Sequence, residues 1–169
     1  MNKVERKKTD LHIQRMYDLL DVYREVAPDC WSQGEAWMRT VKHKAPRYYI
    51  TPERARNIIS LMINGDMSVL DRMRPNKKRM YLSLYETMER LLQKRAYSNK
   101  PLIFVLSFAV IQPAPEFFIT PDYMRIMFFF HKLEMKKEKE RIKELAGEIN
   151  DDPTIENDEP ESDGDGQDC

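Results

Sequence analysis

The feature that most constrains the fold is a twelve-residue segment that occurs twice in the chain. Residues 45–56 read APRYYITPERAR and residues 114–125 read APEFFITPDYMR, so the two copies are 69 positions apart. Six positions are identical, and three more exchange tyrosine for phenylalanine or glutamate for aspartate. Each copy places Thr-Pro-acid after a short aromatic run, and this triplet is typical of a helix start. We therefore expect two similar junctions, each joining an extended segment to a helix.

Two explanations fit this match. Self-similarity at a fixed offset is the signature of internal duplication, and a looser match at an offset of 64 joins residues 15–17 to residues 79–81. Duplication predicts two half-repeats, residues 9–65 and 76–146, each built as helix, helix, short strand, helix. The alternative is that two unrelated junctions converged on the same capping chemistry.

Most of the chain shows apolar residues at three- and four-residue steps, which indicates amphipathic helices. Residues 102–111 instead form a continuous apolar run between two prolines, which fits a buried helix or a buried strand, and Pro101 favours the helix. Short strands are expected at residues 48–50 and 117–119, where they can pair with each other. The predicted fold class is mainly α, with five or six packed helices. The other predicted helices cover residues 9–25, 33–43, 52–64, 75–96 and 121–146.

The last twenty residues differ from the rest of the chain in charge. Residues 150–169 contain nine acidic residues and no lysine or arginine. Of the 28 acidic residues, 19 therefore lie in the rest of the chain with all 28 basic residues, which gives that part a net charge of +9. An acidic segment with so few apolar residues cannot bury enough surface to fold. The sequence thus predicts a single helical domain at residues 1–148 and a disordered acidic tail at residues 149–169.

The apolar and cysteine content predicts a cytoplasmic protein that does not contact a membrane. The longest apolar run, at residues 102–111, is about half of what a bilayer span requires. The basic N-terminal residues are not followed by the apolar stretch of a secretory signal. Only two cysteines are present, Cys30 and Cys169, and Cys169 ends the predicted tail, so a structural disulfide is not expected.

No pattern in the sequence indicates a catalytic residue, a cofactor or a metal ion. His12, His43 and His131 fall on three different predicted helices, without a second ligand at the short spacing that metal sites usually show. No motif joins Cys30 to His43 as a nucleophile and its base. We therefore expect a protein that is not an enzyme. A deep pocket that held a paired acid and base would instead indicate one.

Clustered basic residues are the strongest indication of function. Lysine and arginine near helix starts can neutralise backbone phosphates, and cations at a helix start oppose the helix dipole, which favours an anionic partner. Tyr48 and Tyr49, beside Arg47, can offer stacking surfaces to bases. The sequence predicts a small nucleic-acid-binding or accessory protein for DNA or RNA. The predicted binding residues are Arg54, Arg56, Arg72, Arg74, Lys77, Lys78 and Arg79.

The alternative is a protein-interaction or structural module, which binds another protein or forms a homodimer. Trp31, Trp37 and the three phenylalanines at residues 128–130 exceed what one small core needs. Consecutive phenylalanines on one helix cannot all face inward, so at least one is expected on a contact surface.

Overall fold

The structure, a computed structural model, describes the backbone of residues 10–150 and the side chains of residues 10–147. These residues form six α-helices, which confirms the mainly helical prediction. The chain divides after Phe130 into two compact units. The predicted acidic tail lies outside the described residues from residue 151 onward. In chain order the helices are α1 (Asp10–Val26), α2 (Gln33–Lys42), α3 (Pro52–Ile63), α4 (Pro75–Leu92), α5 (Leu102–Ala109) and α6 (Pro121–Asn150).

Side-chain caps begin three of these helices, as the sequence predicts. The Ser32 hydroxyl accepts a hydrogen bond from the Glu35 amide at 3.1 Å and begins α2. The Thr51 hydroxyl does the same for the Arg54 amide at 3.4 Å, and the Thr120 hydroxyl for the Tyr123 amide at 3.1 Å. Each cap satisfies an amide that has no partner within its own helix. The two Thr-Pro-acid junctions are therefore equivalent helix starts.

The helix ends follow the sequence less closely. Gly65 has a φ of +86°, a left-handed conformation that ends α3 one residue after its C-cap. The predicted stop at Gly147 is wrong, because α6 continues to Asn150. The helix predicted to reach residue 96 ends at Leu92. The apolar run at residues 102–111 is a helix, α5, followed by a turn.

The two short strands predicted at residues 48–50 and 117–119 are absent from the described part of the chain. Ala45 and Ala114 instead form a single antiparallel bridge, in which each amide donates to the carbonyl of the other at 2.9 Å. Pro46 and Pro115 follow these alanines and fix φ near −65°, far from the value of an antiparallel strand. Phe118 has a φ of +54°, which a strand residue does not adopt. The predicted pairing of these strands is therefore wrong, and the one residue pair that forms lies outside both predicted segments.

Hydrogen bonds beside this bridge are reciprocal. The Tyr48 amide donates to the Val110 carbonyl at 2.8 Å, and the Phe117 amide donates to the Val41 carbonyl at 3.1 Å. The two donor residues, Tyr48 and Phe117, are 69 positions apart, and so are the two acceptor residues, Val41 and Val110. The two amides that a strand ladder would need are thus bound to the C-terminal ends of the α2 and α5 segments.

Four aromatic rings interleave between the two repeated segments. Tyr48 stacks with Phe118 at a centroid distance of 6.2 Å, and Tyr49 stacks with Phe117 at 5.9 Å. The first ring of each segment therefore pairs with the second ring of the other. Stacked aromatic pairs stabilise a fold by more than the burial of their apolar surface alone. Ring stacking and the single Ala45–Ala114 bridge therefore join the two segments, without a longer backbone ladder.

The third helix of each half packs against the opposite half. Helix α1 packs on α2 and α4 packs on α5, but α3 packs on α4 and α5. In the first part of α6, the ring centroid of Phe128 lies 5.6 Å from that of Tyr23 on α1. The guanidinium carbon of Arg125 lies 5.9 Å from the centroid of the Trp37 ring on α2. Within residues 10–130, the core is therefore shared by the two halves.

Burial relates α1 to α4 by an offset of 65 positions. Leu19 and Leu84 are both 0% exposed, and Met16 and Tyr81 are also buried at this offset. The offset of 64 suggested by the sequence would align Leu19 with Ser83, which is only partly buried. The offset of the looser sequence match therefore differs by one residue from the offset at which the buried positions of α1 and α4 correspond.

In the second unit, the side chains of residues 132–147 on α6 are exposed. Arg141 and Glu138 form an ion pair at 3.9 Å, at the three-residue spacing predicted for an exposed helical extension. Across residues 10–150, no helix has both the length and the apolar character that a bilayer crossing demands.

Candidate anion-binding cleft

The structure exposes all seven basic residues that the sequence singled out. Two lie on α3, two on the segment that precedes α4, and three in the first turns of α4. The first turn of α4 contains no acidic residue, and no side chain caps its start. The seven residues are Arg54, Arg56, Arg72, Arg74, Lys77, Lys78 and Arg79.

Two of these residues line a cleft of about 700 Å³. Arg54 enters its wall from α3 and Lys77 from α4, and Arg15 of α1 also lines it. Among the described residues this brings together three cations from three helices, although they are far apart in the sequence. The aromatic part of the wall consists of Tyr49, Tyr81 and Phe118.

Arg15 is the cation that the sequence analysis missed. Its guanidinium carbon lies 5.9 Å from the centre of the Tyr49 ring and 5.6 Å from that of Tyr123. Its Nε atom is inaccessible to solvent and has no hydrogen-bond partner among the described residues. Burial lowers the pKa of the Arg15 guanidinium, and this effect outweighs the opposing influence of Tyr123 and Tyr49. No carboxylate of the described residues forms an ion pair with it.

A signal for Arg15 was present in the sequence. It lies midway between Leu11 and Leu19 at four-residue spacing, on the row that forms the apolar stripe of α1. A cation on such a row is desolvated when the helix packs. Its position alone therefore indicated a charge that would require compensation.

Arg79 lies in a different environment from the other six predicted residues. Its Nη2 and Nε atoms lie 2.8 and 2.9 Å from Oε1 of Glu116, whose side chain is only 12% exposed. The other carboxylate oxygen of Glu116 accepts a hydrogen bond from Lys42 Nζ at 2.8 Å. Glu116 thus joins α2 to α4, and Arg79 is the predicted residue least available to a ligand.

The Tyr49 hydroxyl donates a hydrogen bond to Asp18 Oδ2 at 2.5 Å. Burial raises the pKa of Tyr49, and the hydrogen bond and charge of Asp18 raise it further. The Tyr49 ring also stacks with the Phe117 ring and contacts the Arg15 guanidinium. Tyr49 thereby fixes one wall of the cleft.

Tyr49→Phe is expected to make the protein less sensitive to alkali. Below the unfolded tyrosine pKa of 10.0, the folded and unfolded states both carry the neutral hydroxyl. Above it the unfolded state loses its proton first, so the stability contributed by Tyr49 declines as pH rises. Urea unfolding between about pH 9 and 11 should show a shallower loss of stability in the variant. Parallel curves for the two proteins would contradict this account.

A second large cleft, of about 860 Å³, has mixed charge. It is lined by Lys44, Arg90 and Lys94 together with Glu86 and Glu89. Two carboxylates beside three cations give it little preference for an anion. Among the described side chains, no group of three or more histidine, cysteine, aspartate or glutamate residues can hold a metal ion.

Comparisons with protein-family models, with curated proteins and with solved structures find no match.

Proposed function

We propose that the protein is a non-enzymatic nucleic-acid-binding protein that contacts backbone phosphates through one basic surface. The observation that carries the proposal is the position of Arg54 and Lys77, which reach the same cleft from two helices. Arg79 is assigned to the Glu116 ion pair and is left out of the binding surface. The basic surface consists of Arg54, Arg56, Arg72, Arg74, Lys77 and Lys78.

The start of α4 supports this proposal. The first amides of a helix have no partner within the helix and attract anions, and the positive end of the dipole adds to that attraction. The N-cap residue Arg74 supplies no side-chain acceptor, so it leaves these donors uncapped. Arg74, Lys77 and Lys78 surround this helix start at exposed positions. Cations that oppose the dipole are stabilised when a phosphate lies between them and the amides.

Binding of the full chain to short labelled DNA and RNA, single- and double-stranded, tests the proposal. We expect the affinity to fall by about three orders of magnitude between about 50 and 200 mM salt, because six contacted phosphates release their counterions. The measurement is fluorescence polarisation across the salt series. A chain that binds none of these probes at the lowest salt would overturn the proposal.

An exposed apolar group on α6 favours a second candidate function, a protein-interaction module. Phe129 and Phe130 are 58% and 52% exposed, and Ile126 precedes them on the same helix. Trp31, before α2, is 96% exposed. Exposed aromatic residues are typical of contact surfaces. A stable dimer in solution whose mass is unchanged by added DNA or RNA would favour this function over nucleic-acid binding.

We also propose that residues 9–65 and 76–146 are copies of one ancestral unit. The reciprocal hydrogen bonds support duplication, because convergence of the helix caps alone would not reproduce them. The cleft then lies between the copies. Homologous sequences test this: the two halves should align over their lengths at offsets of 69 and 65, and a match confined to the junctions would favour convergence. Equivalent lining pairs are Tyr49 with Phe118, His12 with Lys77 and Arg15 with Met80.

A further inference from the structure

The charge balance of the cleft is cationic. Arg15, Arg54 and Lys77 line it, and Asp10, in the first turn of α1, is the carboxylate among its described lining residues. None of the three cations forms an ion pair with a carboxylate of the described residues. Among the described residues, the cleft therefore holds more positive charge than its carboxylates neutralise.

Of these three cations, Arg15 has the greatest energetic need for a counterion, because it is the most buried. Its guanidinium is largely buried against two tyrosine rings, and water cannot reach its Nε atom. A buried charge without a counterion is costly to the fold, and the cost falls when an anion enters the same low-dielectric space. Arg15 is nonetheless partly exposed, and this part of it lines the cleft. An anion in the cleft can therefore contact the Arg15 side chain and serve as its counterion.

We infer that the cleft is a discrete phosphate subsite, centred on Arg15 and completed by Arg54 and Lys77, that takes one phosphate group. Arginine suits phosphate because its planar set of donors matches the phosphate oxygens, and lysine adds a point charge. The group is a free phosphate ion or the terminal phosphate of a nucleic acid strand. For the second source the inference rests on the proposed function, since the strand would then continue across the basic surface.

A terminal phosphate fits the cleft better than a phosphodiester within a strand. A terminal phosphate carries up to two negative charges and three free oxygens, whereas an internal one carries a single charge and is flanked by sugars on both sides. The three cations that line the cleft belong to three different helices, α1, α3 and α4. Such an arrangement matches an anion that presents oxygens in several directions.

Two probes test the subsite with the full chain: inorganic phosphate, and one oligonucleotide made with either a 5′-phosphate or a 5′-hydroxyl. We expect saturable binding of inorganic phosphate by calorimetry and an about tenfold preference for the phosphorylated strand. Arg15→Gln should abolish both. Arg54→Gln, at an exposed position that does not endanger folding, should weaken both. Arg24→Gln, an exposed position on the same helix, is the matched control and should change neither.

The outcomes separate the two sources of phosphate. Saturable phosphate binding without a strand preference would identify the free ion as the ligand, and a strand preference would identify the nucleic acid end. Equal binding of the two strands together with no saturable phosphate binding would overturn the inference. Saturable phosphate binding, or a preference for the phosphorylated strand, that survives both Arg15→Gln and Arg54→Gln would also overturn it.

Failure of the subsite and failure of the proposed function are distinguishable. The 5′-hydroxyl strand reports on the basic surface alone. Suppose that this strand binds with a steep salt dependence, but Arg15→Gln changes neither phosphate binding nor the preference for the phosphorylated strand. The subsite is then wrong and the proposed function stands. If neither strand binds but inorganic phosphate binds through Arg15, the subsite stands and the proposed function is wrong.

Discussion

Replacing Arg74, Lys77 and Lys78 together with glutamine is expected to weaken nucleic acid binding by about a hundredfold near 0.1 M salt. Each lost phosphate contact removes about one unit from the slope of affinity against salt, so the slope should fall by about three. The three side chains are exposed and make no described ion pair, so the fold should be unaffected. Fluorescence polarisation across a salt series measures both quantities, and circular dichroism verifies folding.

The matched control removes the same charge elsewhere. Lys94, Arg95 and Lys100 are exposed and lie between α4 and α5, away in sequence from the proposed surface. Their joint replacement with glutamine lowers the net charge equally, and long-range attraction would respond to both variants alike. Equal losses of affinity in the two triple variants would indicate non-specific attraction, which contradicts a localised binding surface.

Leu19→Ala and Leu84→Ala are each expected to destabilise the protein by about 2–5 kcal/mol. Both side chains are 0% exposed, one in α1 and the other at the equivalent place in α4. Truncation loses the transfer free energy of the removed methyl and methylene groups and leaves a cavity in a packed interior. Urea unfolding of the full chain measures the change in the free energy of unfolding. Because the total stability of such a domain is about 5–15 kcal/mol, either change is large.

Leu61→Ala is the control for this pair. Leu61 lies on α3 and is 38% exposed, so its truncation should change the free energy of unfolding by no more than about 0.5 kcal/mol. If Leu84→Ala cost no more than Leu61→Ala, the assignment of Leu84 to the core would be wrong.

The elements that the sequence predicted correctly are those set by neighbouring residues. Ser32 and Thr51 cap helices because the amide that each accepts from is three positions away. The apolar stripe of α1 likewise depends on spacing within a single helix. Local capping and periodicity are visible in the chain itself, so the helical class and most helix starts could be predicted.

What the sequence could not reveal depends on contacts between distant residues. Glu116 neutralises Arg79 across 37 positions, so six of the seven predicted binding residues remain for the proposed surface. Arg15 meets Tyr123 only after α1 and α6 have packed. The strand prediction failed for a related reason: the amides of Tyr48 and Phe117 bond to carbonyls of other segments.

The exchanged packing of the third helices has a consequence for how the domain unfolds. Helix α3 finds its partners, α4 and α5, in the other half of the chain, while Phe128 at the start of α6 contacts Tyr23 of α1. Neither half can therefore bury all of its apolar surface in isolation. Thermal or chemical denaturation of residues 10–130 should accordingly be one cooperative transition and not two independent ones. We therefore expect the two halves to unfold as a single unit despite their similarity.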